Sequence, residues 1–497
     1  MKGIGQMVID DKRALLFIAA YFSAHFIIRI LAPTSLELDE SAELVRTQFL
    51  SLGYGTQPPL YTWVLILLFS LFGANVWVLA VFKSLLLFGT YGFVYASSRK
   101  LGLAPSIALL ASGSMLLFPQ IGWESQRDLT HTVLATFAAS GLFYLFVSIV
   151  KSPRMLDYLL LGLFVGIGLL AKYNFALFLA AIFFTALLIP KGRERVFDLR
   201  ILWSFAVSAI LLIPHVFWLV GNVSLASDGT LAKLGVIDAL DIVHSSSAFF
   251  GGLLNFASIY IVASLLLVSL ARPSNKATSE WSLVWIYLIV ALTLLLLISI
   301  SLGISTFKDR WFQPVLFLLP LVFFSSIDFD GIAKWRTRVY VGIVSLLGLA
   351  YLVGMTVQVH FSEILNKPTR FAVPYQKLIN NIGISENSLV IASDTHIGGA
   401  IKLLRPKSLV WVVGELHNDK PKNKTQECLI VWSSGKNNEE KISLWLDEYV
   451  GIEKSQRFIG LSKRISVHGE NLNQRYNFSY VQVDCENIYQ NKELKSL

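Results

Sequence analysis

Asp39 and Glu40 stand together just past the first long apolar run, within Leu36-Glu37-Leu38-Asp39-Glu40. Carboxylates at a membrane surface are costly to keep beside lipid, so such a pair usually serves something. A carboxylate there can take a proton from an attacking hydroxyl or orient it, or it can hold a metal ion. A further acid, Asp128, follows Arg127 at the start of a later apolar run. Cations suited to a phosphate group recur in similar places: Lys172 beside Tyr173, and Lys308 and Arg310 on either side of Asp309. Gln57 precedes Pro58-Pro59 and is a candidate substrate contact. Glu40, His215 and His244 are the candidate ligands for a divalent metal ion, although no H-E-x-x-H spacing accompanies them.

Each of these residues also has a plainer role. Asp39 can cap a helix, and Glu40 can sit favourably at a helix N-terminus. Glu43 reads as solvated. Arg127 and Asp128 can form a structural ion pair with His131 one turn away, and Lys172 and Arg29 can snorkel from span ends. Histidines in such positions are more often hydrogen-bonded than metal-bound. Asp394-Thr395-His396, before Gly398-Gly399, reads as a turn with a helix cap.

These groups must be positioned by a membrane-embedded scaffold. The chain has 497 residues, 54% hydrophobic and 15% charged, against about 25% charged in a soluble domain. About eleven windows approach the roughly 20 apolar residues that a span needs. They lie near 14–32, 76–98, 104–122, 129–150, 156–171, 174–190, 201–220, 252–271, 281–303, 311–327 and 338–357. With the N-terminus in the cytoplasm, the inner segments hold 16 Lys and Arg. The short outer loops hold 6: Arg46, Arg127, Lys172, Lys233, Lys308 and Arg310. That asymmetry follows the positive-inside rule and places the candidate residues on the outer side. The net charge of +9 is dispersed over loops, which gives no basic patch for nucleic acid.

Residues 40–50 have helical periodicity, and Leu60 to Phe72 is apolar but too short to span, so two helices are expected along the outer interface. The first domain is then 1–357. The second, 358–497, is more polar and alternates strand and helix patterns. Strands are expected at 389–392, 409–413 and 428–432, and helices at 397–404 and 439–449, which gives a small outer α/β domain. Cys428 and Cys485 both lie there. They either pair, as an oxidising compartment allows, or remain buried thiols.

Several stretches resemble the GT-C glycosyltransferases of the protein-mannosyltransferase and aminoarabinose-transferase type. They are Leu38-Asp39-Glu40, Gln57-Pro58-Pro59-Leu60, Arg127-Asp128, Gly168 to Tyr173, Ile213-Pro214-His215 with Trp218 and Asn222, and Lys308-Asp309-Arg310-Trp311 with Pro314. The resemblance covers roughly residues 10–330 and not the tail. It implies a polytopic α-helical GT-C fold and sugar transfer on the outer face of a bacterial inner membrane. The implied donor is a polyprenyl-phosphate sugar. The favoured acceptor is a lipid A or lipopolysaccharide glycolipid, with protein as the alternative. Asp39 would act at the catalytic centre with Glu40 and Asp128, and Lys172, Lys308 or Arg310 would face the leaving phosphate. Arg127, Gln57, Tyr173 and His244 would contact substrate. A transporter of lipid-linked sugars is the rival from another class. It would place polar residues mid-span and show internal repeats, and neither is evident.

Overall fold

A computed structural model of the chain describes residues 10–31, 36–227, 241–268, 279–327, 329, 332–361, 369–414, 427–450, 452–469 and 474–484. Lys233 and Cys485 lie outside the described residues. Seven described helices are long and apolar enough to cross a membrane: Asp11–Ile30, Val76–Lys100, His131–Lys151, Ile201–Gly221, Ile242–Val268, Ser282–Ser301 and Lys334–Phe361. Two bent pairs raise the count to nine if each is one span. Pro105–Leu117 turns by 87° into Gln120–Arg127, and Phe175–Leu188 turns by 114° into Pro190–Val196. Pro119 and Pro190 sit at the breaks, where a missing N–H and a bulky ring cannot continue the preceding helix.

Against the roughly eleven windows expected, seven to nine helices among the described residues meet that length and apolarity. The expected fifth is the apolar helix Met155–Ala171, only 17 residues long. The expected tenth divides into Asp309–Leu316 and Leu319–Ser326, with Pro320 opening the second piece. The Met155–Ala171 helix approaches Ile201–Gly221 closely through Gly162, where a Cβ would lie 2.3 Å from the Ser204 carbonyl oxygen. Small residues allow helix backbones to meet where no hydrophobic force drives them together.

By its contacts the chain divides into two compact units. The first comprises residues 1–25, 51–61 and 82–352; the second comprises 26–50, 62–81 and 353–497. The second unit therefore takes in the expected tail together with parts of the first outer segment. Its sheet contains strands β1 (Leu389–Ala392), β2 (Leu409–Val412), β3 (Glu427–Ser433), β4 (Lys463–His468) and β5 (Arg475–Asp484), in the order β2-β1-β3-β5-β4. β1 runs parallel to β2 and β3, while β5 runs antiparallel to β3 and β4.

The three parallel strands are apolar on both faces, as a covered parallel sheet requires. Ile391, Cys428, Ile430 and Trp432 pack against Ile442 and Leu446 of the Lys436–Val450 helix. On the other face Val390, Val410, Leu429 and Val431 pack with Leu378, Ile397 and Ile401, and with Val45 of the Leu38–Arg46 helix. The first-loop helix is thus part of the tail's hydrophobic core. Cys428 is disulfide-bonded.

Candidate active site

In the second unit the candidate acids lie on the Leu38–Arg46 helix, preceded by Glu37. The backbone N–H of Glu37 donates to Glu40 Oε2 at 3.4 Å, and acids fill the first turn, where the helix dipole favours them. Glu40 is buried, and the Arg29 guanidinium donates to its Oε2 at 2.9 Å. Arg29 in turn stacks over Phe371, 5.0 Å from the ring centroid. Glu37 is buried and pairs with Arg370 at 3.0 Å.

Glu43, expected to be solvated, is fully buried. It accepts from Arg46 at 2.7 Å and from the Thr62 hydroxyl at 2.7 Å. The i,i+3 spacing to Arg46 supplies the cation that makes this burial tolerable. Among Glu37, Asp39, Glu40 and Glu43, Asp39 alone is half-buried where the other three are buried.

The remaining candidates belong to the first unit. Lys172 follows the Met155–Ala171 helix, and its ammonium donates to Thr132 Oγ1 at 2.6 Å. His131 Nδ1 meets the Ala171 carbonyl at 3.1 Å, so the start of the His131–Lys151 helix is tied twice to this corner. Arg127 pairs with Glu124 at 2.8 Å. The Asp128 carbonyl accepts from Lys83 Nζ at 3.4 Å. Glu124, Lys83 and Thr132 were not singled out in the sequence. An acid three residues before Arg127 was the available signal for the first, whereas nothing local marks the other two.

His215 lies on Ile201–Gly221, one residue after Pro214. Its ring stacks between Tyr173 at 5.8 Å and Trp218 at 5.7 Å, with Nδ1 donating to the Leu52 carbonyl at 2.7 Å. Burial pushes the Tyr173 phenol up to about 12, so it remains a hydrogen-bond donor. Gln57 closes a tight turn by backbone bonds with Tyr54. His244 is exposed at the start of Ile242–Val268, where its N–H donates to Asp241 at 2.9 Å. Lys308 is exposed before Asp309–Leu316, and Asp309 accepts from Asn255 at 2.7 Å. Arg310, half-buried, follows on the same helix.

The suggested metal trio is not supported. Among the described residues, no three His, Cys, Asp or Glu side chains gather as a metal site. Glu40 belongs to the Arg29 pair, while His215 and His244 occupy separate helices.

Comparison with known proteins accords with this architecture. Residues 56–218 match the family described as dolichyl-phosphate-mannose-protein mannosyltransferase. The lipopolysaccharide core galacturonosyltransferase RgtB of Rhizobium johnstonii is 31% identical over 80% of this chain and 83% of its own length. RgtA of the same organism, of the same description, is 32% identical over 80% of this chain and 81% of its own. In fold, the chain is similar to ArnT from Cupriavidus metallidurans bound to undecaprenyl phosphate, with TM-score 0.58 and 11% identity over 97% of this chain and 99% of that one. Seven to nine membrane-length helices among the described residues, a small α/β unit and relatives matched along four fifths of the sequence together make this chain a multi-span member of the GT-C glycosyltransferases, in the family of RgtA and RgtB.

Proposed function

We propose that the protein transfers a uronic acid, of the galacturonic type, from a polyprenyl-phosphate donor to the core or lipid A part of lipopolysaccharide. The reaction takes place on the outer face of the bacterial inner membrane. The observation that carries this reading is the likeness to RgtA and RgtB over about 80% of the chain. The bias of Lys and Arg toward one set of loops, 16 against 6, supports a cytoplasmic N-terminus. The disulfide at Cys428 supports an extracytoplasmic tail.

Asp39 is the reacting carboxylate. An acceptor hydroxyl attacks the anomeric carbon, its proton passes to Asp39, and the bond from that carbon to the phosphate oxygen breaks. Polyprenyl phosphate leaves with the electron pair. If the acceptor is a phosphate, it is already anionic, and Asp39 orients it instead. Glu40 acts indirectly, through its pair with Arg29. Lys172 is the first choice for the leaving phosphate, because a cation there offsets charge as it develops. Arg127, Lys308 and Arg310 are further cations for the phosphate or the uronic carboxylate, with Gln57, Tyr173 and His244 as contacts to the sugar and Asp128 as a second acid.

The test is mass spectrometry of envelope glycolipids from cells with the gene intact, deleted, or carrying Asp39→Asn. Loss of a hexuronic acid mass in both altered strains is expected. Loss of a different sugar mass would correct the donor. An unchanged glycolipid profile would overturn the acceptor, and glycoproteins would be examined next.

A further inference from the structure

We propose that the α/β tail is the positioning device for the reacting acid, and that His396 is its positioning residue. This rests on Asp39 being the reacting carboxylate.

His396 lies in the first turn of the Thr395–Leu404 helix, which Asp394 caps by accepting from the backbone N–H groups of His396 and Ile397, both at 3.0 Å. The ring is buried. Its Nε2 meets the Leu36 carbonyl at 2.8 Å, and its Nδ1 meets the Tyr375 hydroxyl at 2.8 Å. A carbonyl can only accept, so Nε2 carries the proton. In the neutral ring Nδ1 is then the acceptor, and Tyr375 donates to it. Burial holds His396 below its ordinary value, which keeps this tautomer.

Leu36 lies three residues before Asp39, and the structure fixes the segment between and beyond them repeatedly. Arg370 of the tail holds the Glu37 carboxylate at 3.0 Å. Gln48, just past the helix, bonds both sides of Val410 in β2: its Nε2 donates to the carbonyl at 2.9 Å, and its Oε1 accepts from the N–H at 2.8 Å. Between these anchors the helices touch backbone to backbone. A Cβ on Gly399 would lie 2.4 Å from the Ser41 carbonyl oxygen and 2.5 Å from Ser41 Cα. The acid helix is therefore clamped before, along and after its length by the tail. Catalytic groups lose rate steeply when displaced by about 1 Å.

The experiment uses the full-length protein in detergent or nanodiscs, with a polyprenyl-phosphate uronic acid as donor and the wild type and Asp39→Asn as references. His396→Ala removes both ring bonds. His396→Gln can still donate to Leu36 and accept from Tyr375. A fall in kcat of at least tenfold is expected for His396→Ala, with KM for donor unchanged and most of kcat restored by His396→Gln. Wild-type kcat in His396→Ala would overturn the proposal. So would equal losses in both variants, or a loss confined to KM. If Asp39→Asn itself retains full transfer, the assignment of Asp39 has failed, and the positioning role falls with it.

Discussion

Arg29 and Glu40 face each other at 2.9 Å with side-chain exposures of 6% and 2%. A pair so deeply buried is costly to break from one side, because the remaining charge has no water to return to. Glu40→Gln is expected to cost about 3–5 kcal/mol of stability. The double variant Arg29→Met with Glu40→Leu removes both charges, and it is expected to recover most of the loss. Thermal unfolding of the purified variants reads this directly. Glycosyl transfer by the double variant then separates the two roles of Glu40: recovery with stability fits a structural acid, and persistent inactivity fits a chemical one.

Asp39→Asn is nearly isosteric and leaves the neighbouring ion pairs in place. Transfer to a hydroxyl acceptor is expected to fall by about 10²–10⁴, the usual contribution of general base catalysis, with membrane insertion and melting temperature unchanged. Turnover on purified acceptor, beside a melting curve, checks both halves.

Lys172→Ala removes the ammonium that meets Thr132 at 2.6 Å. If that ammonium also meets the donor phosphate, a charge-assisted bond of about 1.5–3 kcal/mol is lost, or roughly 10- to 150-fold in kcat/KM for donor. Donor titration provides the readout. An unchanged kcat/KM would leave Lys172 as a helix tie alone.

Gly399→Ala places a methyl against the Ser41 backbone. Overpacking of this kind costs about 1–3 kcal/mol. Reduced transfer is expected even where the tail remains folded, because the acid helix has to shift. Gly383→Ala offers a contrast: Gly383 is left-handed at φ 77° but has open space around it, so its cost comes from the backbone and not from the helix contact.

The pH dependence of the tail follows from His396, whose folded pKa lies below its ordinary value of 6.5 because it is buried. Below about 6.5 the unfolded chain binds a proton that the folded one does not, so stability falls with pH until the folded pKa is reached. Asp394 opposes this depression and Arg370 adds to it. Melting temperature measured from pH 7.5 down to 5.5 is expected to drop more in the wild type than in His396→Gln. Equal drops would assign the effect to other groups.

Much of this architecture is legible in the sequence. The apolar runs at 389–392, 409–413 and 428–432 coincide with β1, β2 and β3 because a strand covered on both faces leaves an uninterrupted apolar signature. Leu60 to Phe72 is a helix with those same bounds. The tenth window divides into two short helices, because mean apolarity ignores where prolines interrupt the hydrogen-bond ladder. What stays hidden is long-range partnership. Periodicity gives the buried face of Leu38–Arg46 but not what covers it, and the answer, Gly398-Gly399, lies inside the expected helix at 397–404 with nothing local to name its partner. Two glycines inside a helical run weaken it by about 1 kcal/mol each, and that penalty was the available hint of close packing. Glu43 was misjudged for a similar reason: its Arg46 partner is local, but Thr62 is 19 residues away.

The bond between Gln48 and Val410 spans 362 residues. During synthesis the acid helix therefore emerges hundreds of residues before the surface that receives it. Until that later sequence is translated and folded, the spans can insert while the helix carrying Asp39 has no apolar bed and no backbone partner. Loop closure over such a distance is slow and comes late. The helix that carries Asp39 is thus completed by sequence made last: a product halted before Tyr375 would lack the apolar bed against which Val45 packs and the backbone that Gln48 bonds.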